Sequence, residues 1–263
     1  AVSTGRVVEF RARERLRSLV SNSDAPLIFP RHLTDGFVAW PRPTGSKPEG
    51  IAPRSDDDPD LMPTGWYVLV KRFSAQEERR RVVAGLYDPE RNSRPFVGFD
   101  NKLNVFHHDG HGLPATLARG LAVFLNSTLV DAFFRQFSGH TQVNARDLRS
   151  LRYPDQAFLK RLGRAVNGSM PTESEINELI QEEMQAMGKG DDPVATKKRV
   201  EAAKGILKAL GAPKKQQNEQ SALTLLALLD LAPSTHWVKA GAPKRGVSEI
   251  MDWMADKYGM KYA

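Results

Sequence analysis

The chain has 263 residues, 40% of them hydrophobic and 26% charged, with a formal net charge of +7. This is the composition of a folded protein long enough for one large domain or two ordinary ones. Cysteine is absent, which excludes disulfides, thiol nucleophiles and Cys-based zinc sites, and no apolar run approaches the roughly 20 residues of a membrane span.

The N-terminus, AVSTGRVVEF, mixes charges and is no signal peptide, and its lack of an initiator Met reads as a processed or partial chain. The cytoplasm is the expected compartment, with no membrane contact. The positive balance favours a polyanionic partner, most simply nucleic acid; an ordinary basic surface is the plain alternative. Up to Asp155 the cations are arginines apart from Lys47, Lys71 and Lys102, and arginine suits bidentate phosphate and guanine contacts.

In chain order, Val7–Phe10, Gly36–Trp40, Trp66–Phe73, Val82–Leu86, Phe96–Phe99 and Leu103–Phe106 read as strands between turn signals. Trp66–Val70 is the clearest, bulky and apolar on both faces. Thr44–Pro63, with Asp56, Asp57 and Asp58, reads as a long exposed loop. Ala115–Phe137 reads as one long helix, because Leu117, Leu121, Leu125, Leu129, Phe133 and Phe137 recur every four residues; Gly139 offers its stop. Asn126-Ser127-Thr128 fits a glycosylation sequon, discarded because nothing routes the chain to secretion.

From about Ala157 the strand signals vanish. Thr172–Glu175 is a capping box opening a helix through Met187, and Gly188–Asp192 is a hinge-like break. Helices are expected over about Val194–Leu210, Asn218–Leu231 and the stripe Val247, Ile250, Met251, Met254 and Tyr258. The class is therefore α+β: a β-rich mixed domain with a long helix, then helices alone.

Catalytic patterns fail one by one. Gly188-Lys189-Gly190 lacks the upstream glycine and the hydroxyl of a phosphate loop, and no dinucleotide fingerprint is present. A metal nuclease pattern begins at Pro59-Asp60 but breaks where Leu69 stands before Lys71. His107, His108, Asp109 and His111 are competent zinc or manganese ligands. Gly110 and Gly112, however, break any helix that would align them, so a polar or DNA-facing loop is favoured over a metal site.

What remains is binding. Lys71-Arg72-Phe73 followed by Arg79, Arg80 and Arg81 places cations at a strand end and the next turn, either on phosphate or in a salt-bridged surface. Ser138, Gly139, His140, Thr141, Gln142 and Asn144 follow the long helix. Gln and Asn can pair bidentately with adenine, although such a stretch also makes an ordinary turn.

Phe124–Val130, Phe134-Arg135-Gln136, Ser138-Gly139, Thr141–Asn144 and Asp147–Leu151 through Pro154 resemble the target-recognition domain of Taq-type adenine-N6 DNA methyltransferases. They are most similar to the methylases of BsuBI/PstI-type restriction–modification systems. Val2–Arg11, Tyr67–Ser74 and Asn101–His107 fall in the same pattern, which spans roughly residues 1–157. Gln217–Leu229 and Ile250–Ala263 resemble the helical N-terminal domain of the BsuBI/PstI-type endonuclease, a winged-helix-like DNA binder that stops here where its next helix is expected.

The resemblance implies a DNA target-recognition domain over 1–157, a helical linker over 158–190 and a small helical domain over 191–263. It implies DNA contacts from Lys71, Arg72, Arg79, Arg135, Ser138, Gly139, His140, Thr141, Gln142 and Asn144. It implies S-adenosylmethionine for the full enzyme. The partners it implies are duplex DNA, a catalytic methyltransferase domain on the same or another polypeptide, and the cognate endonuclease. The chain lacks the Asn/Asp-Pro-Pro-aromatic motif that holds a flipped adenine, having no Pro-Pro at all, and lacks a Gly-rich cofactor loop. The expected function is site selection without methyl transfer, with no catalytic, cofactor or metal residues here. A helical module docking a methylase or nuclease is the alternative.

Overall fold

The computed structural model describes residues 1–187, except 19, 43–46, 75–76, 92–93, 138–141 and 152, together with 200–201 and 204–205. The chain divides into two compact units. The first comprises Ala1–Arg149 with Asp155–Leu179, and the second Ser150–Pro154 with Ile180–Ala263.

The first unit is built on two sheets. One has six strands: β1 (Val2–Thr4), β4 (Leu33–Thr34), β5 (Phe37–Val38), β8 (Tyr67–Lys71), β9 (Ala84–Tyr87) and β11 (Leu103–Phe106), in the order β1-β11-β8-β9-β5-β4. The other has five: β2 (Leu16–Arg17), β3 (Ala25–Ile28), β6 (Gly50–Ile51), β7 (Leu61–Pro63) and β10 (Phe96–Phe99), in the order β2-β6-β3-β10-β7. Pairing is antiparallel except β5 with β9 and β3 with β10. The centre of the larger sheet is β8, every residue of Tyr67–Val70 being fully buried between β11 and β9. This is what its bulky, two-faced apolar sequence requires. Tyr67, Tyr87 and Phe99 meet edge-on or tilted in the core, with ring centroids 5.1–6.2 Å apart.

Helices α1 (Ala115–Leu125) and α4 (Gln156–Arg164) pack closely on one another, and α1 also covers β8 and β9. Asp155 caps α4 by accepting the Phe158 amide at 2.7 Å. The helix α5 (Glu173–Met187) opens with the expected capping box. Glu175 accepts the Thr172 amide at 2.7 Å, and the Thr172 hydroxyl accepts the Glu175 amide at 3.4 Å. In the second unit Val200–Glu201 and Lys204–Gly205 are helical, and Lys204 pairs with Glu201 at 2.8 Å.

Three expectations are corrected. The single helix Ala115–Phe137 is two helices, α1 and α2 (Thr128–Phe137). Asn126 ends α1 and clamps β9, its amide donating to the Ala84 carbonyl and its oxygen accepting the Ala84 N–H. The Ser127 hydroxyl donates to the Phe124 carbonyl at 2.7 Å and accepts the Val130 amide at 3.2 Å. Short polar side chains thus take over the backbone groups that a continuous helix would have paired. Apolar periodicity continued across this joint because both helices bury the same kind of face.

The segment read as an exposed loop contributes two buried strands, β6 and β7. Within it Asp58 has a fully buried side chain that accepts from Arg15 and Arg54, 2.5 and 2.9 Å away. Its acidity is neutralised inside the fold, not solvated. Val7–Phe10 is not a strand: Val7 makes one bridge to Asp100 and the chain turns over residues 8–12, while β1 lies upstream at Val2–Thr4. The helices expected beyond Val194 lie outside the described residues apart from the short stretches noted, as does the break at Gly188–Asp192.

Candidate nucleic-acid interface

Of the sequence candidates, Lys71 and Arg72 meet Gln142 and Asn144 at the C-terminal end of β8. The Val143 amide donates to the Arg72 carbonyl at 2.8 Å, and Phe73 bridges Gln142. Asn104 of β11 donates to the Val143 carbonyl at 2.7 Å, fixing this second segment against the sheet. Lys71-Arg72-Phe73 and Gln142-Val143-Asn144, about seventy residues apart in sequence, therefore share one sheet end.

Their side chains have partners already. Lys71 pairs with Glu78 at 2.7 Å. Arg72 donates to the Asn101 carbonyl at 3.2 Å and lies 5.5 Å from the Phe73 ring centroid. Arg79 is 85% exposed and reaches Glu173 at 3.0 Å, the most displaceable of these contacts because solvent competes for it. Arg135 donates to Asp131 at 2.8 Å, one turn earlier, and to the carbonyls of Glu78 and Arg79. It braces the arginine-rich turn rather than standing apart from it. The Asn144 amide donates to Asp147 at 3.3 Å, opening α3 (Ala145–Ser150). Ser138, Gly139, His140 and Thr141 lie outside the described residues.

The histidine cluster is a tight hairpin tip. His108 bridges His111 across Asp109 (φ 46°) and Gly110 (φ 83°), the paired left-handed conformations of a two-residue β-turn that Asp-Gly favours. His107 braces this turn, its Nδ1 accepting the Gly110 amide at 3.0 Å while its Nε2 meets Ser3 Oγ at 3.0 Å. Burial, reinforced by nearby positive charge that includes Arg6, holds the His107 ring below the usual imidazole pKa. Among the described residues no group of three or more His, Asp or Glu side chains is arranged to hold a metal ion.

Two acidic groups in this region, Asp131 and Glu173, carried no sequence signal. Asp131 is a buried hub: one carboxylate oxygen accepts the amides of Arg81 and Val82 at 2.6 and 3.0 Å, while the other receives Arg135. Arg81, expected on phosphate or in a salt-bridged surface, is instead fully buried and donates to Ser74. Glu173 collects Arg79, Arg80 and Thr128. Burial pushes its carboxyl up, but these donors outweigh that and hold it below the usual carboxylate range. Beside it opens a cleft of about 560 Å³ lined by Asp35, Glu78, Arg79, Arg80, Met170 and Glu173 among others, with no aromatic wall. Mixed charges and the lack of a stacking surface or Gly-rich turn do not fit an adenosyl cofactor.

Comparison with known proteins shows what the chain is similar to. The chain is 45% identical over 186 residues to the type II methyltransferase M.PstI of Providencia stuartii, covering 71% of this chain and 37% of that protein. It is 43% identical over 185 residues to M.BsuBI of Bacillus subtilis, covering 68% and 37%. Over these stretches the chain is similar to type II methyltransferases. It spans 37% of the length of these curated relatives. Residues 197–263 match the BsuBI/PstI restriction endonuclease HTH domain family. In keeping with that, 64 residues are 44% identical to the type II restriction enzyme BsuBI of Bacillus subtilis, covering 24% of this chain and 20% of that enzyme. No solved structure matches the chain. Among the described residues no helix is long and apolar enough to cross a membrane.

Proposed function

We propose that the chain selects the DNA site for an adenine-N6 methyltransferase of a cytoplasmic restriction–modification system. Residues 1–157 act as the target-recognition domain, 158–190 as a helical linker and 191–263 as a small helical DNA-binding domain. The observation that carries the reading is the 45% identity to a type II methyltransferase over 186 residues. It is supported by the sheet end at which Arg72 and Gln142 are drawn together. In this reading Lys71, Arg72, Arg79 and Arg135 position the phosphate backbone while His140, Thr141, Gln142 and Asn144 lie nearer the base edges. S-adenosylmethionine and the methyl transfer belong to a catalytic domain whose motifs these residues do not contain, and the cognate endonuclease is a further partner.

The test is binding of a labelled duplex across a salt series, with a parallel assay for methyl incorporation. The expected result is affinity that falls steeply with salt through counterion release, with no methyl transfer by the chain alone. Salt-independent binding, or none, overturns the recognition role. Labelled adenine in the parallel assay overturns the division of labour.

A further inference from the structure

Among the described residues two large hydrophobic side chains stand exposed, Phe10 at 71% and Phe73 at 43%. Each has an arginine over its ring: Arg11 lies 5.5 Å from the Phe10 centroid and Arg72 5.5 Å from that of Phe73. The two pairs are joined through one connected strip. Glu9 binds Lys102 at 3.3 Å, the Lys102 carbonyl accepts the Arg72 amide at 2.9 Å, and the Asn101 amide donates to the Val7 carbonyl at 2.8 Å.

Phe10 is not carried on a loose loop. The Arg11 and Ala12 amides donate to the Val8 carbonyl at 2.9 and 3.1 Å, and Val7 and Ala12 on either side are buried in the core beside β3, β6 and β7. The turn is anchored at both ends and holds the ring out in water, which folding alone does not reward. Two isolated rings offer far too little apolar area for a protein partner, whose interface needs about 800 Å² per side. They suffice for a wedge between base pairs, where an apolar ring enters the stack and adjacent cations meet phosphates.

We propose that Phe10, backed by Arg11, is a wedge that enters a base step of duplex DNA, with Phe73, Arg72 and Lys102 lying along the flanking backbone. The inference rests on the reading of the chain as a DNA-binding protein and adds residues that reading does not contain. It also assigns duplex deformation, rather than groove readout alone, to this surface.

The test uses the full 263-residue chain, a random-sequence duplex pool carrying 2-aminopurine, and the variants Phe10→Ala and Phe10→Trp. Wild type should bind and brighten 2-aminopurine by unstacking it. Phe10→Ala should bind on the order of ten-fold more weakly without brightening, and Phe10→Trp should retain both. The thermal midpoint should stay unchanged, because the ring packs on nothing that folding requires. If wild type binds and Phe10→Ala matches it in affinity and brightening, the wedge is overturned and the DNA-binding reading stands. Weaker binding with undiminished brightening also overturns it, placing Phe10 on the sugar–phosphate edge. Phe10-dependent self-association without an effect on DNA would make the surface a protein-docking face instead. No duplex binding by wild type overturns both readings.

Discussion

Gly120 of α1 and Gly163 of α4 lie backbone to backbone. A Cβ on Gly120 would sit 1.6 Å from the Leu159 carbonyl oxygen, and one on Gly163 2.0 Å from the Thr116 carbonyl oxygen. The contact lets the two helices approach until main chain meets main chain, and α1 in turn covers β8, whose far end carries Lys71 and Arg72. The helix that this glycine pair seats on α4 is therefore the one that covers the strand leading to the candidate interface.

Gly120→Ala should therefore destabilise the protein by at least about 2 kcal/mol, since nothing on the backbone side can give way. On an exposed helix the same change would gain about 1 kcal/mol from propensity, so the sign itself is diagnostic. Gly168→Ala is a useful contrast: its Cβ would meet nothing within 4 Å, but φ is +76°, so about 1 kcal/mol of backbone strain is expected. Chemical denaturation of the two variants measures both, and a neutral Gly120→Ala would disprove the close packing.

His32 supplies a pH-dependent term. It is fully buried, its Nδ1 accepts the Phe29 amide at 3.0 Å, and its Nε2 faces Glu49 at 3.3 Å with Arg31 and Arg42 also bonded to that carboxylate. Burial above all, then the positive charge of Arg31, pushes the imidazole down to about 4, in spite of Glu49. The unfolded chain takes up a proton near pH 6.5 while the folded ring resists until about pH 4. Stability from neutral His32 is therefore complete above about 6.5 and is lost as pH falls across that window, at a slope approaching about 1.4 kcal/mol per pH unit. His32→Gln should be less stable at pH 7 and flatter between these limits. A wild-type denaturation profile already flat there would contradict the assignment.

Asp58 acts at lower pH. Burial raises its carboxyl, but hydrogen bonds from the Arg54 side chain and amide, the Asp60 amide and the charge of Arg15 outweigh this and bring it down to about 2. Its contribution is present above the ordinary carboxylate pKa and disappears as pH falls from about 4 toward 2. Asp58→Asn should cost about 1–3 kcal/mol at pH 7, because Arg15 and Arg54 then keep only Asp60 as a charged partner, and should remove the acid-side slope in that window. Equal acid limbs for variant and wild type would show that other carboxylates govern it.

Much of this was readable beforehand where side chains carry the signal. Tyr67–Lys71, Phe96–Phe99 and Leu103–Phe106 are runs of bulky apolar residues long enough to show as strands. Strands of two residues, such as β2, β4 and β6, have no periodicity to read. In β3, Pro26 has no backbone donor and masks the strand signal, yet it is tolerated where it pairs with Gly50. The family resemblance brought Arg72 and Gln142 into one site; that they meet across Phe73 is a matter of register, invisible in a linear chain. Asp131 looked like any helix-surface acid, because its partners Arg81 and Val82 lie about fifty residues away.

In the proposed reading, backbone positioning and base reading divide most sharply between Arg72 and Gln142. Replacing Arg72 with Ala should weaken binding on all duplexes alike and flatten the salt slope by about one unit, as loss of a phosphate contact does. Replacing Gln142 with Ala should cost about 1–3 kcal/mol on the cognate site and little elsewhere, if its amide pairs bidentately with a base. The competing role is that residue 142 only fixes the chain beside β8. That role runs through the backbone, where residue 142 bridges Phe73 and the Val143 amide holds the Arg72 carbonyl, and alanine preserves it. A structural role should thus leave both the melting temperature and the cognate-to-noncognate ratio of Gln142→Ala near wild type. A base-reading role lowers the ratio while the melting temperature holds. Anisotropy titrations on paired duplexes, run beside thermal melts of the same sample, separate the two, and an unchanged ratio would remove Gln142 from the recognition surface.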